Sequence, residues 1–313
     1  MTWFFVALSA YFLLAITNLV DKFLVEKVVG SARAYTFIAC AMGSLIFLVA
    51  PWFLSWPGTF FFWFNLFLGL LFALALLFLY ASLRRGEASR SLVIVGGSTP
   101  IFSLPLSFFI LGDKFSTNQL IAISLLLLGL LVMVFLPEKR QNFWEKVFTS
   151  LNLKHSATLL SVFLALLSGL FYALFFVGSK FAYASQDFFS AFLWTRLGAL
   201  LAASLILFSP RARREIKAIF TRQPKRKRNQ GLIFGNQVLG AIGFVLQNYA
   251  VYLGPVAIVN SLQGVQYAWI IFLGAIISFF YPKALKEDIS KRVLFQKGLA
   301  IFIISIGLYF LSL

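Results

Sequence analysis

Amide side chains recur on a helical period inside two apolar stretches. Asn236, Gly240, Gly243 and Gln247 are spaced four, three and four residues apart, which places them along one face of a helix. Asn260, Gly264, Tyr267 and Gly274 form a similar stripe in the next stretch, with Gln263 and Gln266 beside it and Asn248 just before Gly254-Pro255. Such a stripe has two uses in apolar surroundings. It ties helices together through amide hydrogen bonds, with glycines allowing close approach, or it lines a polar passage. The grouping of Gln247, Asn248, Asn260, Gln263 and Gln266 about one tight turn favours the passage.

Further residues have the chemistry to meet a small ligand. Tyr11 and Asn18 share a line with Ala15 in the first apolar stretch, and Tyr172 follows Ser168 in the related place of the sixth. Tyrosine offers a ring face and a hydroxyl, and serves equally as an interfacial anchor. Tyr80, near the end of its stretch, is expected to be an anchor. Arg196 is the only basic residue well inside an apolar stretch. Either its stem snorkels to the nearer interface, or its guanidinium meets a carboxylate or phosphate. The candidate ligand-contacting set is therefore Tyr11, Asn18, Tyr172, Arg196, Asn236, Gln247, Asn248, Asn260, Gln263, Gln266 and Tyr267.

Absences narrow the chemistry. No Asp, Glu or His lies in the middle of an apolar stretch; Asp21, Glu87, Asp113 and Asp187 fall at ends, and His155 falls between stretches. No nucleophile with a neighbouring base, metal-ligand cluster or carboxylate pair can be assembled, so neither an enzyme nor a cofactor or metal is expected. Gly96-Gly97 lacks the strand and the downstream lysine of a phosphate loop. The lone Cys40 excludes an internal disulfide and a zinc cluster.

The elements that must carry these residues follow from composition. Of 313 residues, 61% are apolar and 18% aromatic, and only 12% are charged, which does not describe a soluble surface. Apolar runs of roughly 20 residues recur throughout, each long enough to cross a hydrocarbon core of about 30 Å as a helix. They lack the alternation of a barrel strand, and lipid demands that each backbone amide be paired within its own segment. The expected class is all-α integral membrane, with ten transmembrane helices near 3–21, 34–55, 60–83, 91–111, 117–136, 157–183, 188–209, 231–253, 256–281 and 294–313. The first run has no basic n-region and no small-residue cleavage pattern, and reads as a retained span.

Charge sets an expected orientation. Of the 27 Lys and Arg residues, 24 fall in the odd-numbered loops, nine of them between Arg211 and Arg228. The positive-inside rule then places these loops in the cytoplasm and both termini outside. The net charge of +17 is explained by orientation and by anionic lipid at the basic loops. No nucleic-acid partner is expected, because the basic loops are short and carry no recognition fold.

The two halves echo one another. Leu8-Ser9-Ala10 and Lys22-Phe23 match Leu167-Ser168-Gly169 and Lys180-Phe181; Tyr80-Ala81 before Gly86 matches Tyr249-Ala250 before Gly254; Ser107-Phe108-Phe109 matches Ser278-Phe279-Phe280. The expected repeats are 1–137 and 157–313, joined by a polar cytoplasmic linker at 138–156. Five spans per half, an odd number, make the repeat inverted, an arrangement with its ligand site near the midplane between halves.

The stretch from Tyr80 to Gln119 resembles the EamA family of the drug/metabolite transporter superfamily. The residues that carry the resemblance are Tyr80-Ala81-Ser82-Leu83, Gly86-Glu87-Ala88-Ser89, Pro100-Ile101-Phe102, Leu111-Gly112-Asp113-Lys114-Phe115 and Gln119-Leu120. The second half departs from this pattern, with Pro255 in place of Glu87 and Tyr281-Pro282 in place of Gly112-Asp113. The resemblance implies a carrier of small organic metabolites in the inner (cytoplasmic) membrane, often moving them outward by alternating access. A lipid-linked-intermediate flippase or a non-transporting membrane scaffold is the alternative from another class. The oligomeric state is not legible.

Overall fold

A computed structural model describes residues 2–85, 88–134, 156–221, 226–280 and 291–312. The described residues are helical and include no strand, as lipid requires of a chain without barrel periodicity. The helices are α1 (Thr2–Phe23), α2 (Ala32–Gly43), α3 (Ala50–Phe53), α4 (Thr59–Arg85), α5 (Ala88–Leu106), α6 (Thr117–Val134) and α7 (Ser156–Tyr183). They continue as α8 (Phe188–Ser204), α9 (Pro210–Thr221), α10 (Arg226–Leu253), α11 (Val256–Ser261), α12 (Gln263–Phe280) and α13 (Lys291–Ser312).

Among the described residues, six helical segments are long and apolar enough to cross a membrane: Thr2–Asp21, Ala32–Phe53, Thr59–Arg85, Ile94–Leu111, Leu159–Tyr183 and Phe188–Phe208. Ten were expected. Thr117–Gly129 and Gly298–Phe310 are shorter apolar helices. The ninth expected span is divided into α11 and α12 at Leu262. All of the expected linker at 138–156 except residue 156, the turn at Gly86-Glu87 and Tyr281-Pro282 lie outside the described residues.

Local sequence explains where helices change pitch. Pro51 has no N–H to offer the preceding turn, and the chain before it tightens to a 3-10 helix over Ser44–Val49, one-third longer per residue than an α-helix. The α1 helix ends in a π-turn over Leu24–Val29 closed by Gly30, whose φ of 66° is a left-handed conformation that glycine adopts without a Cβ penalty. At Leu262 the cause is a side chain: the Tyr11 hydroxyl donates to the Val259 carbonyl at 2.8 Å, and the Leu262 N–H divides between Ile258 and Val259. A group inserted into the hydrogen-bond ladder is a sufficient cause of a break.

Packing is closest between α4 and α7, α6 and α13, α1 and α10, α4 and α8, and α5 and α7. At the α4–α8 crossing the backbones touch. A Cβ on Gly69 would lie 2.3 Å from the Ala199 nitrogen, and one on Gly198 would lie 2.4 Å from the Leu66 oxygen. At the α1–α10 pair the chains run antiparallel: Trp3 lies against Gly254, Tyr11 meets Gln247, and Asp21 meets Asn236.

Candidate functional site

These pairings leave a cavity of about 440 Å³ bounded by α1, α2 with its 3-10 extension, α4, α7, α8 and α10. Its wall is mostly apolar and aromatic, including Met42, Phe72, Leu76, Tyr80, Phe192 and Phe244. Two charged side chains, Asp21 and Arg196, interrupt it. A largely apolar chamber with a few placed polar groups is the usual form of a small-molecule site.

Arg196 projects from the middle of α8 and is only 5% exposed. It does not snorkel to an interface. Its guanidinium carbon stands 4.0 Å from the Phe72 ring centre, 4.6 Å from Phe244, 4.9 Å from Phe192 and 5.9 Å from Phe175. Its Nε and Nη2 have no hydrogen-bond partner among the described residues. Ring faces attract a desolvated cation by about 0.5 to 2 kcal/mol, whereas removing one ion from water costs several kcal/mol after relaxation. The rings therefore offset part of the penalty and leave hydrogen-bonding capacity unused.

Asp21 occupies the last turn of α1, at one end of its span as expected, yet it is buried and faces the cavity. Its Oδ1 accepts from the Tyr35 hydroxyl and, at 2.6 Å, from Asn236 Nδ2. The Tyr35 oxygen in turn accepts from Gln237 Nε2 at 3.0 Å. Every link in this chain donates toward the carboxyl. Tyr80 packs edge-on against Tyr35 with ring centres 4.7 Å apart. It is 3% exposed and part of the cavity wall, so the interfacial role expected of it is corrected.

Of the residues singled out in the sequence, Asn18, Tyr172, Arg196 and Asn236 line this cavity. Tyr11 sits on the same α1 stripe as Asn18 but two turns further along; the α1 part of the wall begins at Leu14. The amides beyond it serve helix contacts. Gln247 donates to Tyr11 at 3.4 Å, Asn248 accepts from Tyr183 at 3.2 Å and donates to the Phe244 carbonyl at 2.9 Å, and Asn260 donates to Ser103 at 2.8 Å. Gln266 is 2% exposed with its Oε1 unpartnered among the described residues. Gln263 is half-buried, and none of these amides is in the cavity wall. The Tyr267 side chain lies outside the described residues.

Sequence reading passed over Asp21, Tyr35, Tyr80, Phe72 and Gln237. For Asp21 a signal existed: it follows Leu14 and Asn18 by seven and three residues, on the same helical face. For the aromatics none did, because 18% of the chain is aromatic.

The structural role of Tyr11 is open to a direct check. Tyr11→Phe leaves the buried Val259 carbonyl and Gln247 amide short of a partner, and is expected to lower stability by about 1–3 kcal/mol. Ligand affinity should change little. Thermal unfolding and ligand titration of the purified protein separate these two effects.

Comparison with known proteins bears on the first half. Residues 1–135 match the EamA-like transporter family. No protein of curated function matches. A solved protein, described only as a crystal structure, superposes over 97% of this chain and 94% of its own with a TM-score of 0.59 at 15% identity. That is a likeness of fold. Several apolar helices long enough to span a bilayer make this a multi-pass membrane protein. Residues 1–135, which contribute α1 to α6 and with them Asp21, Met42, Phe72 and Tyr80 of the cavity wall, are thus the part of the chain that is similar to the EamA-like transporter family.

Proposed function

We propose that the protein is a secondary transporter that carries a small organic anion outward across the cytoplasmic membrane, with Arg196 as the anchor for its acid group. The observation that carries this reading is the buried guanidinium in the cavity wall with two nitrogens unpartnered. Among the described residues the only ion pair within 4.0 Å is Arg211–Glu215, at 3.3 Å. An uncompensated charge in an apolar chamber is a standing cost to the folded state, and a ligand carboxylate or phosphate would relieve it through a charge-assisted fork.

The architecture we infer is ten spans in two inverted five-helix repeats, 1–137 and 157–313, joined by a linker at 138–156. Rocking of the repeats about the cavity would expose it to each side in turn. Odd-numbered loops would face the cytoplasm and both termini the outside. The exposed arginines of α9, including Arg211, Arg213 and Arg214, would rest against anionic headgroups.

Accessibility labelling tests the position of the pathway. In a Cys40→Ala background, a single cysteine replacing Asn18 is expected to react with a water-soluble maleimide and to be protected by a bound organic acid. A cysteine replacing Asn260, which is fully buried against Ser103, is expected to stay silent. The opposite pattern would remove the cavity as the pathway and return the amide cluster to that role.

A second reading has one observation in its favour. Leu45, Val238 and Ile242 line the cavity while being 46%, 39% and 49% exposed, and they lie midway along spanning elements. The cavity therefore reaches the lipid-facing side between α2 and α10, a route by which an amphiphilic anion such as a lipid-linked intermediate would enter.

A further inference from the structure

The cavity holds a second charge that the anion reading does not use. Asp21 is buried in its wall and, among the described residues, hydrogen-bonded only to neutral groups: Tyr35, and Asn236 at 2.6 Å. No cation among the described side chains pairs with it. Arg196, in the wall of the same cavity, has no acid partner among the described residues. The two do not form an ion pair with one another, and Tyr172 lines the same cavity.

Their separation can be read along α10. Asp21 is fixed to Asn236, and the Arg196 guanidinium stands 4.6 Å from the Phe244 ring. Eight residues of α-helix separate those two positions, a rise of roughly 12 Å. Subtracting a charge-assisted hydrogen bond of about 2.8 Å at each end leaves about 6 Å for the ligand's own charges. The wall they share is mostly apolar, with Leu14 on α1, Met42 on α2 and Leu76 and Leu79 on α4, and also includes Asn18 on α1.

We infer that Asp21 is the subsite for a ligand ammonium group, and that the cavity takes a zwitterion whose ammonium and acid groups are held apart by an apolar spacer of about 6 Å. The inference rests on the anion reading and adds a second charge at a set distance. One bound molecule would then compensate both buried charges, each of which is costly alone. An α-amino acid, with its charged groups about 3 Å apart at hydrogen-bond scale, would reach one end and leave the other uncompensated. Asn236 and Tyr35 act as positioning residues, since they hold the carboxylate without occupying the cavity's far end.

The test compares ligands of matched size on the purified full-length protein near neutral pH. The probes are hexanoate, hexylammonium, 2-aminohexanoate, and the ω-amino acids from 3-aminopropionate to 8-aminooctanoate, read as thermal stabilisation and as affinity. Binding to the folded state alone raises its apparent stability. An ω-amino acid of four to six carbons should bind best, at least tenfold tighter than hexanoate and than 2-aminohexanoate. Asp21→Asn should remove that advantage, bringing 6-aminohexanoate to the level of hexanoate.

The failures are distinguishable. Hexanoate that binds wild type and is weakened by Arg196→Met, with no gain from an ω-ammonium at any chain length, overturns the Asp21 subsite and leaves the anion reading intact. A 2-aminohexanoate response equal to or stronger than that of its ω-isomer overturns the spacing. Failure of every acid to bind, with hexylammonium active, overturns the anion reading itself. Should Asp21→Asn fail to fold, the wild-type comparison of 2-aminohexanoate with 6-aminohexanoate decides alone.

Discussion

Replacing Arg196 with Met is expected to weaken binding of an organic acid by about ten- to a hundredfold while leaving the empty protein as stable as wild type or more stable. The binding loss follows from the charge-assisted hydrogen bonds a carboxylate would make to the guanidinium, worth about 1.5–3 kcal/mol. The stability gain has a separate source. In the empty cavity the Nε and Nη2 groups have no partner among the described residues, and the side chain is 5% exposed, so the ion is desolvated without full compensation. Methionine is unbranched, similar in reach, and packs well against the four phenylalanine rings. Thermal unfolding of the ligand-free protein, set beside ligand titration, reads both arms. A variant that lost stability and kept its affinity would show that Arg196 is a structural cation and would remove the anchor. Arg196→Lys should fall between, since it keeps the charge and loses the planar fork.

Gly69→Val is expected to abolish the folded protein or cost more than about 3 kcal/mol, the upper range for overpacking. Even the first added atom has nowhere to go: it would meet the Ala199 nitrogen at 2.3 Å, the Thr195 oxygen at 2.4 Å and the Gly198 carbonyl carbon at 2.5 Å. Those are backbone atoms, so no side-chain rotation relieves the contact. The effect should reach the site as well. Gly69 lies three residues before Phe72 and Gly198 two residues after Arg196, so their crossing sets the 4.0 Å approach of ring and guanidinium. Gly235→Ala on α10 is the control, because nothing lies within 4 Å of a Cβ added there; it should be neutral or stabilising by up to about 1 kcal/mol. The monodisperse fraction after detergent extraction, with melting temperatures where protein is recovered, distinguishes the pair. Equal behaviour of the two variants would mean that the α4–α8 contact is looser than described.

The amides show where a helical stripe stops being informative. Asn236 and Gln247 fall on one face of α10, as their spacing requires, yet Asn236 holds Asp21 in the cavity wall and Gln247 donates to Tyr11 outside it. A shared face fixes direction around the helix and says nothing about how far along it a cavity extends. The same holds for α1, where Asn18 lines the cavity and Tyr11 instead reaches the Val259 carbonyl. Tyr80 and Asp21 show the converse. Both sit near the ends of apolar stretches, where sequence suggests an interface, and both are buried because α2 brings Tyr35 against them.

Sequence alone determined the class and the family resemblance. Apolar runs on this scale leave helices as the solution for a chain in lipid, and the Tyr80–Gln119 motifs fall within the matched residues 1–135. Sequence also put the one deeply placed cation at Arg196, since an ionisable residue amid apolar neighbours stands out in any reading. The tertiary structure alone decided which polar groups share a space. Asp21 on α1, Tyr35 on α2, Arg196 on α8 and Asn236 on α10 are separated by up to 215 residues, and nothing in local periodicity relates one helix's face to another's. That relation is set by where backbones can approach. Here it depends on glycines that admit α8 against α4 and on the antiparallel seating of α1 along α10, which together place a carboxylate and a guanidinium in the wall of one largely apolar chamber.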